Sequence, residues 1–226
     1  MSWLSTLTEK PWLAQEATNG VPHCIHDQQL KRTKTALYFM LAVIGVVFFL
    51  FTITLLQRSQ SFDFQPLAGE IWRPLTDTQL LWQNTMMLFL ASVMLFIANW
   101  QAKREHHNTA MVFVTLSTFF SLWFIHGQVA VWQHLLQQGY YLTSNPANSY
   151  FYVLTGLHVL HIAIGLLVML RVFIHYFRPA TPQSLRNFIQ LTGIYWHYLL
   201  VIWLGLFALL TSDSETFATV AAWCGF

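Results

Sequence analysis

Two histidines in an uncharged stretch are the residues of this chain best suited to chemistry. His158 and His161 lie three residues apart within 145–170, which contains no Asp, Glu, Lys or Arg. Imidazole changes charge near neutral pH and ligates metals, and polar groups are costly in so apolar a stretch. Because residues i and i+3 share a helix face, the pair either holds a metal or haem or bonds to a neighbouring helix.

Composition places the chain in a membrane. Its 226 residues are 55% hydrophobic and 9% charged, whereas a soluble domain is roughly 25% charged. Because so few charges cannot cover a water-facing surface, the bilayer is the expected solvent. The basic residues are scattered and the net charge is only +2, so we expect no nucleic-acid partner. Two cysteines without a paired spacing predict neither a zinc site nor a disulfide framework.

Long uncharged windows predict five membrane-spanning helices. About 20 helical residues cross the hydrocarbon core, and one of the four windows is long enough for two helices separated by a polar turn. The predicted fold is all-α, an integral membrane bundle over 35–211, since the alternating pattern of a β-barrel is missing. An N-terminal arm (1–34) and a short C-terminal tail (212–226) flank it. The predicted helices lie near 35–57, 79–101, 109–135, 148–173 and 188–211.

The distribution of Lys and Arg predicts the orientation of the bundle. Nine of the 11 basic residues fall on the side of the N-terminal arm, and only Arg58 and Arg73 fall on the other. Because Lys and Arg are enriched in cytoplasmic loops, we expect the N-terminus in the cytoplasm and the C-terminus outside.

A third histidine accompanies the pair. Counted from the connection between the last two predicted helices, His161 and His197 lie roughly 14–15 Å from the cytoplasmic boundary at the helical rise. Gly165, one turn beyond His161, allows two helix backbones to approach closely, so that polar side chains hydrogen-bond across the contact. The sequence therefore favours His158, His161 and His197 as contacts that fasten these two helices together.

Two alternatives follow from the same residues. A metal or haem site built from the three histidines usually needs a further carboxylate, cysteine or histidine at matching depth, and none is evident. The cluster of His23, Cys24 and His26 in the arm is a weaker metal candidate. A small transporter is the other alternative, although the spans carry neither buried acids nor an inverted repeat.

The last two spanning helices resemble a known family. The run NPANSYFYVLTGLHVLHIAIG at 145–165 is similar to the penultimate helix of cytochrome c oxidase subunit III, and YWHY at 195–198 to its last helix. The resemblance covers roughly 35–211 and implies the five-helix form that lacks the family's first two helices. Two acids expected from the family are missing, in the regions 42–46 and 127–131, so a role in proton supply is not implied here.

The resemblance implies a non-catalytic subunit of a haem–copper terminal oxidase in a bacterial inner membrane. Subunit I would hold haem and copper, with no cofactor, metal or catalytic residue in this chain, and phospholipid would bind between helices. A quinol oxidase or nitric oxide reductase subunit, or a membrane electron carrier that binds haem or copper, stays open. The candidate structural residues are His158, His161, Trp196 and His197. The candidate contacts with lipid headgroups are Arg171, Arg178 and Arg186.

Overall fold

Long helices make up the part of the chain that can be described. The computed structural model describes residues 22–61, 63–65, 67, 79–177, 182–212, 214–223 and 225. The helices are α1 (Pro22–Ser59), α2 (Gln79–Lys103), α3 (His107–Gln137), α4 (Pro146–Phe177), α5 (Pro182–Leu210) and α6 (Ser214–Trp223).

The prediction of five membrane-length helices is confirmed. In α1 the stretch Leu30–Ser59 is long and apolar enough to cross a membrane, and α2 to α5 qualify over their full lengths. Helices suit this solvent because each satisfies its own backbone hydrogen bonds where water is absent. The orientation of the bundle stays a prediction.

The helices extend beyond the predicted apolar windows. α1 begins at Pro22 and α5 at Pro182, where the sequence predicted starts near 35 and 188. Proline is favoured in the first turn of a helix, and lysine and arginine are good helix formers, so helices continue past the hydrocarbon boundary. The predicted arm therefore contains the start of α1, and the rest of it (1–21) lies outside the described residues.

The predicted C-terminal tail contains a short helix. α6 occupies Ser214–Trp223 and has Glu215 in its first turn. An acidic side chain there interacts favourably with the positive end of the helix dipole. Length and hydropathy did not predict this helix, because its 10 residues are too few to cross a membrane.

Short turns make α2, α3 and α4 antiparallel neighbours. The α2–α3 turn passes through Glu105 at φ 64°, and the α3–α4 turn passes through Gly139 at φ +84°. Asn145 accepts a hydrogen bond from the Ala147 amide at 3.1 Å, which starts α4. Its Nδ2 also donates to the carbonyl of Gln65 at 2.7 Å, so the loop after α1 is tied to the α3–α4 end of the bundle.

Small residues bring the helices into close contact. α2 packs along α3 and α5, while α4 packs against α3 and α5. Ser117 of α3 donates a hydrogen bond to the carbonyl of Ala91 on α2 at 2.8 Å, which requires the two backbones to lie close together. α1 joins the bundle through side chains, since the Tyr198 hydroxyl lies against Gly45.

Gly165→Ala tests the closest contact between α4 and α5. A Cβ at Gly165 would overlap Trp196 and would lie 2.9 Å from Cε1 of Tyr195. We expect overpacking to lower the free energy of unfolding by about 1–3 kcal/mol, measured by thermal or denaturant unfolding in detergent.

Gly156→Ala is the matched control on the same helix. No atom lies within 4 Å of a Cβ at Gly156, so the higher helix propensity of alanine should leave stability unchanged or raise it by up to about 1 kcal/mol. Equal effects of the two substitutions would contradict the close α4–α5 contact.

Candidate functional site

The ring of His158 lies in an aromatic box formed by Phe48 of α1, Phe124 of α3 and Trp203 of α5. His158 is fully buried and stacks on Trp203 with ring centroids 5.0 Å apart and an interplanar angle of 28°. Phe124 and Phe48 meet it edge-on, with centroids at 5.9 Å and 6.3 Å. Neither ring nitrogen has a hydrogen-bond partner among the described residues. The contacts of His158 are therefore packing contacts that join three other helices to α4.

His161 is turned toward its own helix. Its Nδ1 lies 2.7 Å from the carbonyl oxygen of Leu157, and because a carbonyl only accepts, Nδ1 carries the proton in this arrangement. The carbonyl of His161 accepts a hydrogen bond from the Tyr195 hydroxyl at 2.8 Å. The polar link between α4 and α5 at this level thus uses the backbone of His161 and the side chain of Tyr195.

His197 bonds to α2. Its Nδ1 and the hydroxyl of Ser92 lie 2.5 Å apart, and its ring is tilted against Phe96 with centroids at 6.5 Å. The sequence matched His197 to His161 by depth and did not identify Ser92. A serine within the apolar run of α2 was the available signal, since such hydroxyls commonly bond across membrane helices.

Trp196 fills the space beside Gly165. Its side chain is fully buried, and it occupies the position that a Cβ on Gly165 would need. Trp196 is thus placed at an α4–α5 contact.

Further polar side chains lie between α2, α3, α4 and α5, and the sequence did not predict how they pair. The indole of Trp203 donates to the Thr85 hydroxyl at 3.0 Å, and the indole of Trp132 donates to the Thr155 hydroxyl at 3.0 Å. Gln128 is fully buried in α3, in the region where the family resemblance implies an acid. Each of these side chains interrupts an apolar helix.

The candidate arginines that can be placed lie at the α2–α3 end of the bundle, where α4 also ends and α5 begins. Arg171 is exposed in the last two turns of α4, and Arg186 is exposed in the first two turns of α5. Arg178 lies outside the described residues. Arg171 and Arg186 are thus accessible to anionic groups at one membrane surface.

The described residues contain no group of three or more His, Cys, Asp or Glu that could hold a metal ion. The weaker candidates His23, Cys24 and His26 lie outside the side chains that are described. The arrangement around His158 brings rings from four helices into stacked and edge-on contacts.

His158→Phe and His158→Ala together test whether the ring acts by packing. Alanine leaves a cavity in the aromatic box and should lower the free energy of unfolding by about 2–4 kcal/mol. Phenylalanine keeps the ring and removes two unpartnered nitrogens, so it should recover most of that loss. Unfolding in detergent measures both variants. A ligand role would be indicated if both variants were equally impaired, because phenylalanine cannot coordinate a metal.

The comparisons with known proteins agree with the resemblance. A family model described as Cytochrome c oxidase subunit III matches residues 3–212. Cytochrome c oxidase subunit 3 of Thermostichus vulcanus is 31% identical over 128 residues, which cover 56% of this chain and 62% of that protein. The protein of the same name from Synechocystis is 28% identical over 197 residues, which cover 85% and 80%.

A relative with another named electron donor is also similar. Probable quinol oxidase subunit 3 of Staphylococcus aureus is 22% identical over 192 residues, which cover 84% of this chain and 92% of that protein. The match to the Thermostichus protein spans less than two thirds of that relative's length. Because the family model matches nearly the whole chain, this chain belongs to the cytochrome c oxidase subunit III family.

Proposed function

We propose that this chain is the non-catalytic subunit III of a haem–copper terminal oxidase in a bacterial inner membrane. Subunit I would hold haem and copper and would reduce O₂ to water while protons are moved across the membrane. This chain would stabilise subunit I and bind phospholipid. The observation that carries the proposal is the family match over residues 3–212, in a chain whose described spans number five.

The surroundings of the histidines support a structural role. The ring of His158 is covered by the aromatic box, and His197 is paired with Ser92. A haem or copper carrier would need these rings directed at a cofactor, and the box would have to open to admit one. A packing role therefore requires no rearrangement of the observed contacts, whereas binding of a cofactor would require one.

The electron donor of the proposed complex is either a cytochrome c or a quinol. Relatives of this chain carry both names, so the family alone does not separate the two. Measuring the oxidation of reduced cytochrome c and of a quinol by the purified complex assigns the donor.

Purification through a tag on this chain tests its place in the oxidase. We expect a haem-bearing subunit to co-purify, with haem and copper assigned to that subunit by mass spectrometry and metal analysis. His161→Ala should reduce the amount of assembled complex, because the ring of His161 packs against Phe48 with centroids 5.6 Å apart. The visible haem spectrum of the complex that does assemble should not change.

Two results would contradict this proposal. One is stoichiometric haem or copper on the isolated chain, which would favour the electron carrier. The other is substrate uptake by liposomes that contain this chain alone, which would favour the transporter.

We also propose that Arg171 and Arg186 contact anionic headgroups. Both side chains are exposed at the same end of the bundle, and a basic side chain near a membrane surface contributes about 1 kcal/mol to binding of anionic lipid. In nanodiscs that contain phosphatidylglycerol and phosphatidylcholine, Arg171→Gln and Arg186→Gln should each reduce retained phosphatidylglycerol about fivefold. Native mass spectrometry of the chain measures the bound lipid.

Arg58→Gln is the matched control for the lipid experiment. Arg58 lies at the α3–α4 end, where its guanidinium is paired with Asp63 at 2.5 Å and with the Ser61 hydroxyl at 2.8 Å. Because Arg58 is already paired, its loss should leave phosphatidylglycerol binding unchanged. An equal effect at all three arginines would indicate attraction by net charge alone.

A further inference from the structure

One side of the α2–α3 pair carries polar side chains where lipid would be expected. The register of the pair is set by Asn84, whose side chain lies where a Cβ on Gly127 would be. Successive residues of a helix are 100° apart around its axis. In an antiparallel pair, the residue just before each contact residue therefore points to the same side of the plane that contains the two helix axes. Gln83 and His126 therefore share one side.

The burial of these residues agrees with that geometry. Thr85 and Gln128, which follow the contact, point to the opposite side and are buried. Gln83 and His126 are exposed. We call the exposed side the α2–α3 groove, which is lined by Gln83, Met87, Leu90, Phe119, Leu122 and His126.

His126 lies within the expected hydrocarbon depth. It is 11 residues from the end of α3 at Gln137, about 16 Å at the helical rise. α3 has 31 residues and is about 46 Å long, so a centred hydrocarbon core of about 30 Å begins roughly 8 Å inward from each end of the helix. His126 is then about 8 Å inside it. Histidine lacks the long flexible stem with which lysine and arginine reach the interface.

The exposed faces of α4 and α5 differ from the groove. Leu160, Ile164 and Leu167 of α4 and Val201 and Leu204 of α5 are exposed and apolar, as contact with acyl chains requires. His126 and Gln83 have no hydrogen-bond partner within the part of the chain that is described. Ionisable residues at membrane depth usually face protein or water, so the groove needs an occupant that can form hydrogen bonds.

We infer that the α2–α3 groove docks a transmembrane helix of the catalytic subunit, which presents a hydroxyl, amide or carboxyl group to His126 and Gln83. Acyl chains fit the apolar residues of the groove but leave the side chain of His126 without a partner. A helix fills the groove with its apolar side chains and bonds to both at one depth. This inference rests on the proposed function, since it takes its partner from the oxidase complex.

Photo-crosslinking in the intact complex tests the inference. p-Benzoylphenylalanine replaces Leu122 in the groove or Leu160 on α4 as the control, two leucines of nearly equal exposure (53% and 54%). Native membranes are irradiated before purification, and crosslinked peptides are identified by mass spectrometry. We expect the haem-bearing subunit to be captured from position 122 and lipid alone from position 160.

The outcomes separate the inference from the proposed function. Capture of lipid alone, or of a second copy of this chain, at position 122 would overturn the docking surface even though the chain co-purifies with the oxidase. If the chain does not co-purify with a haem-bearing subunit, the proposed function itself fails. Capture of the catalytic subunit from position 160 and not from position 122 would place the docking surface on α4 and would also refute the inference.

A conservative rescue tests the hydrogen bond. Since His126 is exposed and unpartnered in this chain, His126→Leu should leave its helical content and detergent stability unchanged. It should shorten the lifetime of the complex about tenfold, the effect of losing an interhelical hydrogen bond of 1–2 kcal/mol. His126→Asn should restore most of that lifetime. Equal lifetimes for the leucine variant and the natural chain would exclude a bond at His126.

Discussion

The structure depends on the absence of water from the hydrocarbon core. A polar side chain at that depth can form hydrogen bonds only within the bundle or with a neighbouring protein, since lipid offers no partner. Ser92 and His197 meet this requirement by pairing with each other, and Trp132 does so through Thr155. Apolar burial contributes little to helix association in lipid, so these bonds and close packing determine which helices are neighbours.

Trp203 shows how bonding and packing combine at one residue. Its indole N–H donates to Thr85 of α2, one face stacks on His158 of α4, and Phe124 of α3 meets it edge-on at 4.8 Å. One side chain of α5 therefore contacts three helices. Two of these contacts involve aromatic or imidazole rings, whose stacked and edge-on geometries contribute beyond the area they bury. The arrangement explains how a histidine without hydrogen bonds is accommodated at full burial.

The sequence predicts the helices better than it predicts the partners of their side chains. Length and charge located all five spans because the hydrocarbon thickness fixes how many apolar residues a helix needs. The ends of the helices were predicted less accurately than their number. α1 starts at Pro22, outside the apolar window, because helix propensity rather than hydropathy determines where a helix begins. Counting residues also gave a depth for His197 but not its rotation about the helix axis. Its partner Ser92 depends on that rotation, which the neighbouring helices set.

The histidine motif of α4 has a steric explanation. His158 occupies the aromatic box, and seven residues later Gly165 leaves room for Trp196. Residues seven apart lie nearly on the same helix face. One face of α4 therefore carries both the ring of His158, which projects between neighbouring helices, and the space at Gly165, which the ring of Trp196 fills. A spacing that resembles a ligand motif in the sequence thus also describes the complementary surface that α4 presents to α5. Asn84 and Gly127 repeat this pairing of a large side chain with a glycine between α2 and α3, which indicates that shape sets the register of both helix pairs.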